Sequence, residues 1–214
     1  MLQGTYPAVG GATRDYYLEV LRDAVRILDD ADVDHLVIGG IATRGLLDMP
    51  LSLAEDIDVL IRPEEADGLL DRFSAERYAT HRQDERWIYK AAKPDVTVDL
   101  IFRAGEVIRL DELHLARSTT IQMEGVTLPV PSPEDLVVMK AVFDADDRQG
   151  RWYGAISLLQ HLEIDWIYLA ERGATYAPRR VLSLLLYAAD LGIRIPDEAI
   201  ARLSPVAIPP LDDA

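Results

Sequence analysis

The chain has 214 residues, 49% of them hydrophobic and 28% charged, the make-up of a soluble globular protein long enough to bury a substantial core. With 37 acidic against 22 basic residues its formal charge is -15, so it repels nucleic acid unless a local basic groove intervenes. The absence of cysteine excludes disulfides, cysteine-ligated zinc and thiol catalysis. There is no basic leader followed by an apolar core and no run of ~20 apolar residues, so a cytoplasmic location is expected.

Four segments are expected: a flexible arm over 1–13, a core over 14–130, a helical C-terminal region over 131–204 and a tail over 205–214. Asp15 is placed as the cap of a first helix reaching Leu28, with Tyr17, Leu18, Leu21, Val25 and Leu28 on its apolar face. Asp29, Asp30, Asp32 and Asp34 oppose that helix's dipole and read as a solvated turn. His35 to Ile38 is a strand, and Gly39-Gly40 opens a helix that Pro50 stops. Bare backbone N–H groups at such a start suit a phosphate chain. Arg44, in the second turn, is a candidate phosphate contact or a solvated arginine.

Fifteen residues separate Gly40 from Asp56-Ile57-Asp58-Val59-Leu60-Ile61. Read as a strand, this stretch places Asp56 and Asp58 on one face and Ile57, Val59 and Ile61 on the other. Two neighbouring carboxylates on an apolar strand raise each other's pKa or demand a cation, for which a divalent metal is the usual solution. The competing reading is an edge strand whose polar face meets water. Asp99, in Val96-Thr97-Val98-Asp99-Leu100-Ile101-Phe102, is a third carboxylate flanked by strand formers. Side-by-side pairing of the two strands brings it within reach of the first two.

Between these stretches, Pro63-Glu64-Glu65 starts a helix to Phe73, and strands are expected over Tyr78 to Arg82, Trp87 to Ala92 and Asp95 to Phe102. Lys93-Pro94-Asp95 supplies a hairpin turn. Lys90 and Trp87 are placed either beside the acids or as ordinary cross-strand partners. Further strands are expected over Glu106 to Leu110 and Thr119 to Val130, with a short helix over Asp111 to Arg117. Ser132 as cap, Pro133 at the first helical position and Asp135 near the positive end of the dipole start the next helix. Lys140 is its only charge in an apolar run, either snorkelling to water or meeting an anion. Helices follow over Trp152 to His161, Asp165 to Glu171 and Arg179 to Leu191. His35, His81, His114 and His161 show no metal-ligand spacing and receive no role.

The order hydrophobic strand, Gly-Gly, helix, Asp-hydrophobic-Asp and a later hydrophobic-Asp-hydrophobic resembles the nucleotidyltransferase superfamily typified by DNA polymerase beta. Leu128-Pro129-Val130-Pro131-Ser132-Pro133-Glu134-Asp135-Leu136 followed by Lys140 is similar to bacterial AbiEii-type nucleotidyltransferase toxins. The resemblance implies an α+β fold, a mixed twisted sheet flanked by helices with a helical C-terminal region. It implies transfer of a nucleoside monophosphate from an NTP to an acceptor hydroxyl on RNA, protein or a small molecule. Asp56, Asp58 and Asp99 would be the catalytic and metal-binding set for Mg²⁺ or Mn²⁺, with Asp99 also helping to deprotonate the acceptor. Gly39, Gly40, Arg44 and Lys140 would bind the nucleotide. A toxin role brings a cognate antitoxin partner, while neither membrane nor DNA is expected; antibiotic modification and a non-catalytic nucleotide-binding module are the alternatives. After Lys140 the toxin-like pattern departs, with Trp152 after Arg151 and Ala155 near the place of a further acid.

Overall fold

A computed structural model of the protein describes residues 12–53, 56–142 and 151–208. Most of the arm and of the tail lies outside these residues.

Helix α1 (Arg14–Asp30) starts two residues earlier than Asp15 suggested, because the Thr13 hydroxyl accepts the Tyr16 N–H at 3.3 Å. It also runs through Asp29 and Asp30, where an Arg26–Asp30 pair four residues apart offsets the unfavourable end of the dipole. Strand β1 (His35–Val37) leads into α2 (Gly39–Leu46), and β2 (Ile57–Ile61) into a 3₁₀ turn over Pro63–Glu65 and α3 (Ala66–Ala75). Strands β3 (Ala79–Asp84), β4 (Ile88–Lys93) and β5 (Val96–Ile101) follow. Together these five form one sheet in the order β1-β2-β5-β4-β3, mixed because β2 and β5 run parallel while the other pairs are antiparallel. The architecture is α+β, as the sequence implied.

Strand β5 is central and buried along most of its length, with Val98 and Leu100 fully enclosed alongside Ile57, Val59 and Ile61 of β2. Helices α1 and α3 pack against each other and against this sheet. Phe73 of α3 meets Tyr78 edge-on, and the Tyr78 hydroxyl donates to Asp23 of α1 at 3.0 Å.

Helix α4 (Glu112–Ala116) carries a capping box in which Asp111 and His114 serve each other's backbone N–H. Strands β6 (Thr119–Met123) and β7 (Val126–Val130) form a separate hairpin. The strand expected over Glu106 to Leu110 reduces to one bridge between Ala104 and Ile108: Gly105 and Glu106 both take positive φ, which turns the chain back before a ladder can grow.

Helices α5 (Pro133–Val142), α6 (Arg151–His161), α7 (Trp166–Tyr176), α8 (Pro178–Asp190) and α9 (Asp197–Ala207) make the C-terminal bundle. Helix α5 packs against α6, α7 and α8, and α9 against α7 and α8. Pro205 lies inside α9, so this helix crosses the start of the expected tail.

Candidate active site

Two register pairs build the site. In the parallel pair Asp58 of β2 stands opposite Asp99 of β5, and in the antiparallel hairpin Asp99 stands opposite Lys90 of β4. On β3, His81 stands opposite Lys90. Residues directly opposite across a ladder share a face, so Asp58, Asp99, Lys90 and His81 form one transverse row. Asp56 immediately precedes β2, two residues before Asp58. The sheet thus brings Asp58 and Asp99 together as the sequence anticipated.

Asp99 is buried, and the Lys90 ammonium lies 2.6 Å from each of its carboxylate oxygens. Lys90 is both the cross-strand partner and the neighbour of the acids. The hairpin carried this signal: from the Lys93–Val96 pair that closes the turn, three steps outward reach Lys90 and Asp99.

Gly39 completes the row's other end. Its φ of +69° is in the left-handed region, and a Cβ there would collide with Asp58 Oδ2, so only glycine lets the start of α2 lie against this carboxylate. The Ile38 N–H donates to the Asp58 carbonyl at 2.9 Å, and the Thr43 hydroxyl donates back to the Gly39 carbonyl at 2.7 Å, fixing this first turn. Gly40 is half-buried in the same turn.

The other expected residues lie further out. Arg44 donates to the Pro50 carbonyl at 3.1 Å, tying α2 to the loop after it. Lys140 is half-buried on α5 and lies across α6, where a Cβ on Gly154 would stand 3.0 Å from its Nζ. Both α5 and α6 pack against α2. Ala155 is fully buried, so the place of the missing acid is taken up by core packing.

Asp56 and Asp58 carry hard oxygen donors of the kind that a divalent ion takes. Among the described residues no three Asp, Glu, His or Cys side chains are grouped as a metal site, and the Asp99 carboxylate meets the Lys90 ammonium.

A second polar cluster escaped the sequence reading. Asp135, 1% exposed, accepts Arg172 Nε–H at 2.7 Å, the Tyr168 hydroxyl at 2.8 Å and the Ser132 hydroxyl at 3.1 Å. Arg172 also donates to Asp111 at 2.9 Å, and Tyr176 donates to Asp111 at 2.8 Å. Burial pushes the Asp111 carboxyl up, but hydrogen bonds from Arg172, the His114 backbone and Tyr176 outweigh it and hold the group well below the usual carboxylate range. Burial lowers the His114 pKa despite the nearby carboxylates, so the folded chain resists protonation of this ring. These residues join α4 to α5 and α7. The Pro-Ser-Pro-Glu-Asp stretch is therefore part of a clamp between core and bundle; Glu134 contributes by accepting the Asp165 N–H at 2.8 Å.

Three solved structures share a similar fold. The antibiotic-resistance factor ANT(2'')-Ia aligns with a TM-score of 0.54 at 13% identity, over 84% of this chain and 95% of its own. A nucleotidyltransferase-like antigen from Paracoccidioides brasiliensis aligns at 0.53 and 16% identity, over 91% and 95%. The lincomycin-bound lincosamide antibiotic adenylyltransferase LnuA aligns at 0.51 and 11% identity, over 70% and 98%. At these identities the likeness is one of fold. No curated protein matches the sequence. The family described as uncharacterised nucleotidyltransferase matches residues 12–191, from the first helix into the turn after α8, and the chain belongs to that family.

Proposed function

We propose that the protein transfers a nucleoside monophosphate from an NTP to an acceptor hydroxyl and releases pyrophosphate. The observation that carries this reading is the Asp58–Asp99 register pair set against the glycine start of α2. The acceptor oxygen attacks the α-phosphorus in line, and the bond from phosphorus to the pyrophosphate oxygen breaks. The hydroxyl proton passes to a carboxylate of the row and then to water. Backbone N–H groups of Gly39 and Gly40 and the α2 dipole hold the triphosphate. Lys140 and Arg44 take the outer phosphates, Arg44 exchanging the Pro50 carbonyl for them. Asp56 and Asp58 would hold a divalent cation, Mg²⁺ or Mn²⁺, which when bound offsets phosphate charge and polarises the α-phosphoryl group.

The formal charge of -15 favours a small cationic acceptor bearing a hydroxyl over RNA. Antibiotic modification therefore ranks above a toxin acting on RNA. The motif that suggested a toxin and its antitoxin is engaged in the Asp135–Arg172 clamp and gives no information about the acceptor. A non-catalytic nucleotide-binding module is the second reading, favoured by the Lys90 ammonium on Asp99.

The test is label transfer from each α-labelled NTP with Mg²⁺ or Mn²⁺, offering aminoglycosides, lincosamides, total RNA and protein extract as acceptors. Label on the small molecules, lost in Asp56→Ala/Asp58→Ala, is the expected result. Metal-dependent NTP binding without transfer to any acceptor selects the module, and no NTP binding at all removes the nucleotidyltransferase reading.

A further inference from the structure

We propose that the acceptor, a small hydroxyl-bearing molecule, lies in a shallow trough over β4 and β3, where His81 holds its far end. This rests on the nucleotidyl-transfer reading and adds where the acceptor binds.

The transverse row has two unlike ends. At one, the glycine start of α2 lies against Asp58; at the other, past Asp99 and Lys90, stands His81. In the transfer the acceptor oxygen bonds to the α-phosphorus, the bond to the pyrophosphate oxygen breaks, and the acceptor's proton passes to a carboxylate of the row. Attacking and leaving oxygens stand roughly in line through phosphorus. With the triphosphate on the start of α2, pyrophosphate departs towards Gly39. The attacking hydroxyl therefore comes from the opposite direction, across β5 from β4 and β3.

The surface on that side is low and open. Burial alternates along β4: Tyr89 and Ala91 are buried on the covered face, while Lys90 and Ala92 are half-buried on the other. Ala92 stands opposite Thr97 of β5 and Ala79 of β3, so a second row, Thr97-Ala92-Ala79, runs beside Asp99-Lys90-His81 on the same face. The side chains of this second row are small, and the Lys90 ammonium is drawn down to Asp99, 2.6 Å from each carboxylate oxygen. Exposure grows along the first row, from buried Asp99 through half-buried Lys90 to exposed His81. Among the described residues the His81 side chain enters no hydrogen bond or ion pair, whereas its neighbour Arg82 is held by Asp67.

The dimensions name the class of occupant. Two strand spacings of ~4.8 Å put His81 about 10 Å from Asp99, and the two rows lie ~7 Å apart. One or two sugar-sized rings cover that area, with the reactive hydroxyl at the buried end. At the open end the His81 imidazole can hydrogen-bond hydroxyl or amine groups of the acceptor.

The experiment measures label transfer from the α-labelled NTP by the full chain, with kanamycin and lincomycin as small-molecule probes and total RNA and protein extract alongside, and determines KM separately for NTP and acceptor. Ala79→Trp fills the trough from an exposed position, and His81→Ala removes the ring; circular dichroism checks that both variants fold. The expected result is an acceptor KM raised at least ~10-fold in Ala79→Trp and at least ~5-fold in His81→Ala, with the KM for NTP within about twofold of wild type. An acceptor KM unchanged in either folded variant overturns the proposal, as does an equal rise for NTP and acceptor. Label only on RNA or protein overturns the trough and leaves nucleotidyl transfer standing, whereas label on no acceptor overturns the nucleotidyl-transfer reading itself.

Discussion

Replacing Arg172 by methionine keeps a long unbranched stem and removes the charge that Asp135 and Asp111 share. Asp135 is 1% exposed and cannot recruit water; among the described residues the Tyr168 and Ser132 hydroxyls remain as its close donors. Breaking a buried pair by deleting one partner costs ~3–5 kcal/mol, because the other charge is left uncompensated. Asp111, whose side chain is 37% exposed, regains water and adds less than ~1 kcal/mol after solvent screening. The expected loss is therefore about 3–5 kcal/mol, seen in urea as a midpoint lower by about 1–2 M. Arg172→Met/Asp135→Leu should recover most of it, since replacing both charges with apolar groups is often close to neutral. A loss below about 1 kcal/mol in the single variant, or no recovery in the double one, would refute the clamp.

Asp58→Asn should lower turnover by at least ~10²-fold with the circular dichroism spectrum unchanged; a turnover near wild type would remove Asp58 from the chemistry. Gly39→Ala must place a Cβ on Asp58 Oδ2 at positive φ, so thermal shift should show a loss of about 1–3 kcal/mol together with weaker nucleotide binding. Below the ordinary histidine value of 6.5, the unfolded chain takes up a proton that folded His114, with its lowered pKa, refuses. Stability should accordingly fall as pH drops from 7 to 5, by up to ~1.4 kcal/mol per pH unit, and the slope should flatten in His114→Gln. Asp111 contributes stability that is present above its ordinary value of 3.8 and lost as pH falls towards its lowered folded value, so a second decline is expected in strong acid.

Local patterns carried much of the sheet. Alternation in Asp56 to Ile61 and Val96 to Phe102 located β2 and β5, and Ser132-Pro133 located the start of α5. That Asp58 meets Asp99 depends on parallel pairing of strands separated by β3 and β4, a long-range choice that alternation does not encode. Asp135 read as a dipole-stabilising acid because its sequence neighbours are helical; its ion-pair partner lies 37 positions later. Helix α9 was missed because Pro205 resembles a stop signal, yet it stands close enough to the C-terminal end to forfeit little of the hydrogen-bond ladder. Ser132, by contrast, acts as expected, accepting the Asp135 N–H at 3.2 Å.

Strand β3 lies at one margin of the five-stranded sheet, largely exposed, with His81, Arg82 and Asp84 along it and a break in register between His81 and Asp84. An unprotected margin invites another chain to add a strand, the first step towards aggregation. Here Arg82 is drawn to Asp67 of α3 at 2.7 Å, and Arg86 folds back on Asp84 at 2.7 Å, so any docking strand must first displace charged side chains and then follow an uneven ladder. The opposite margin, β1, is only three residues long. Both sides of the sheet thus discourage self-association by strand pairing.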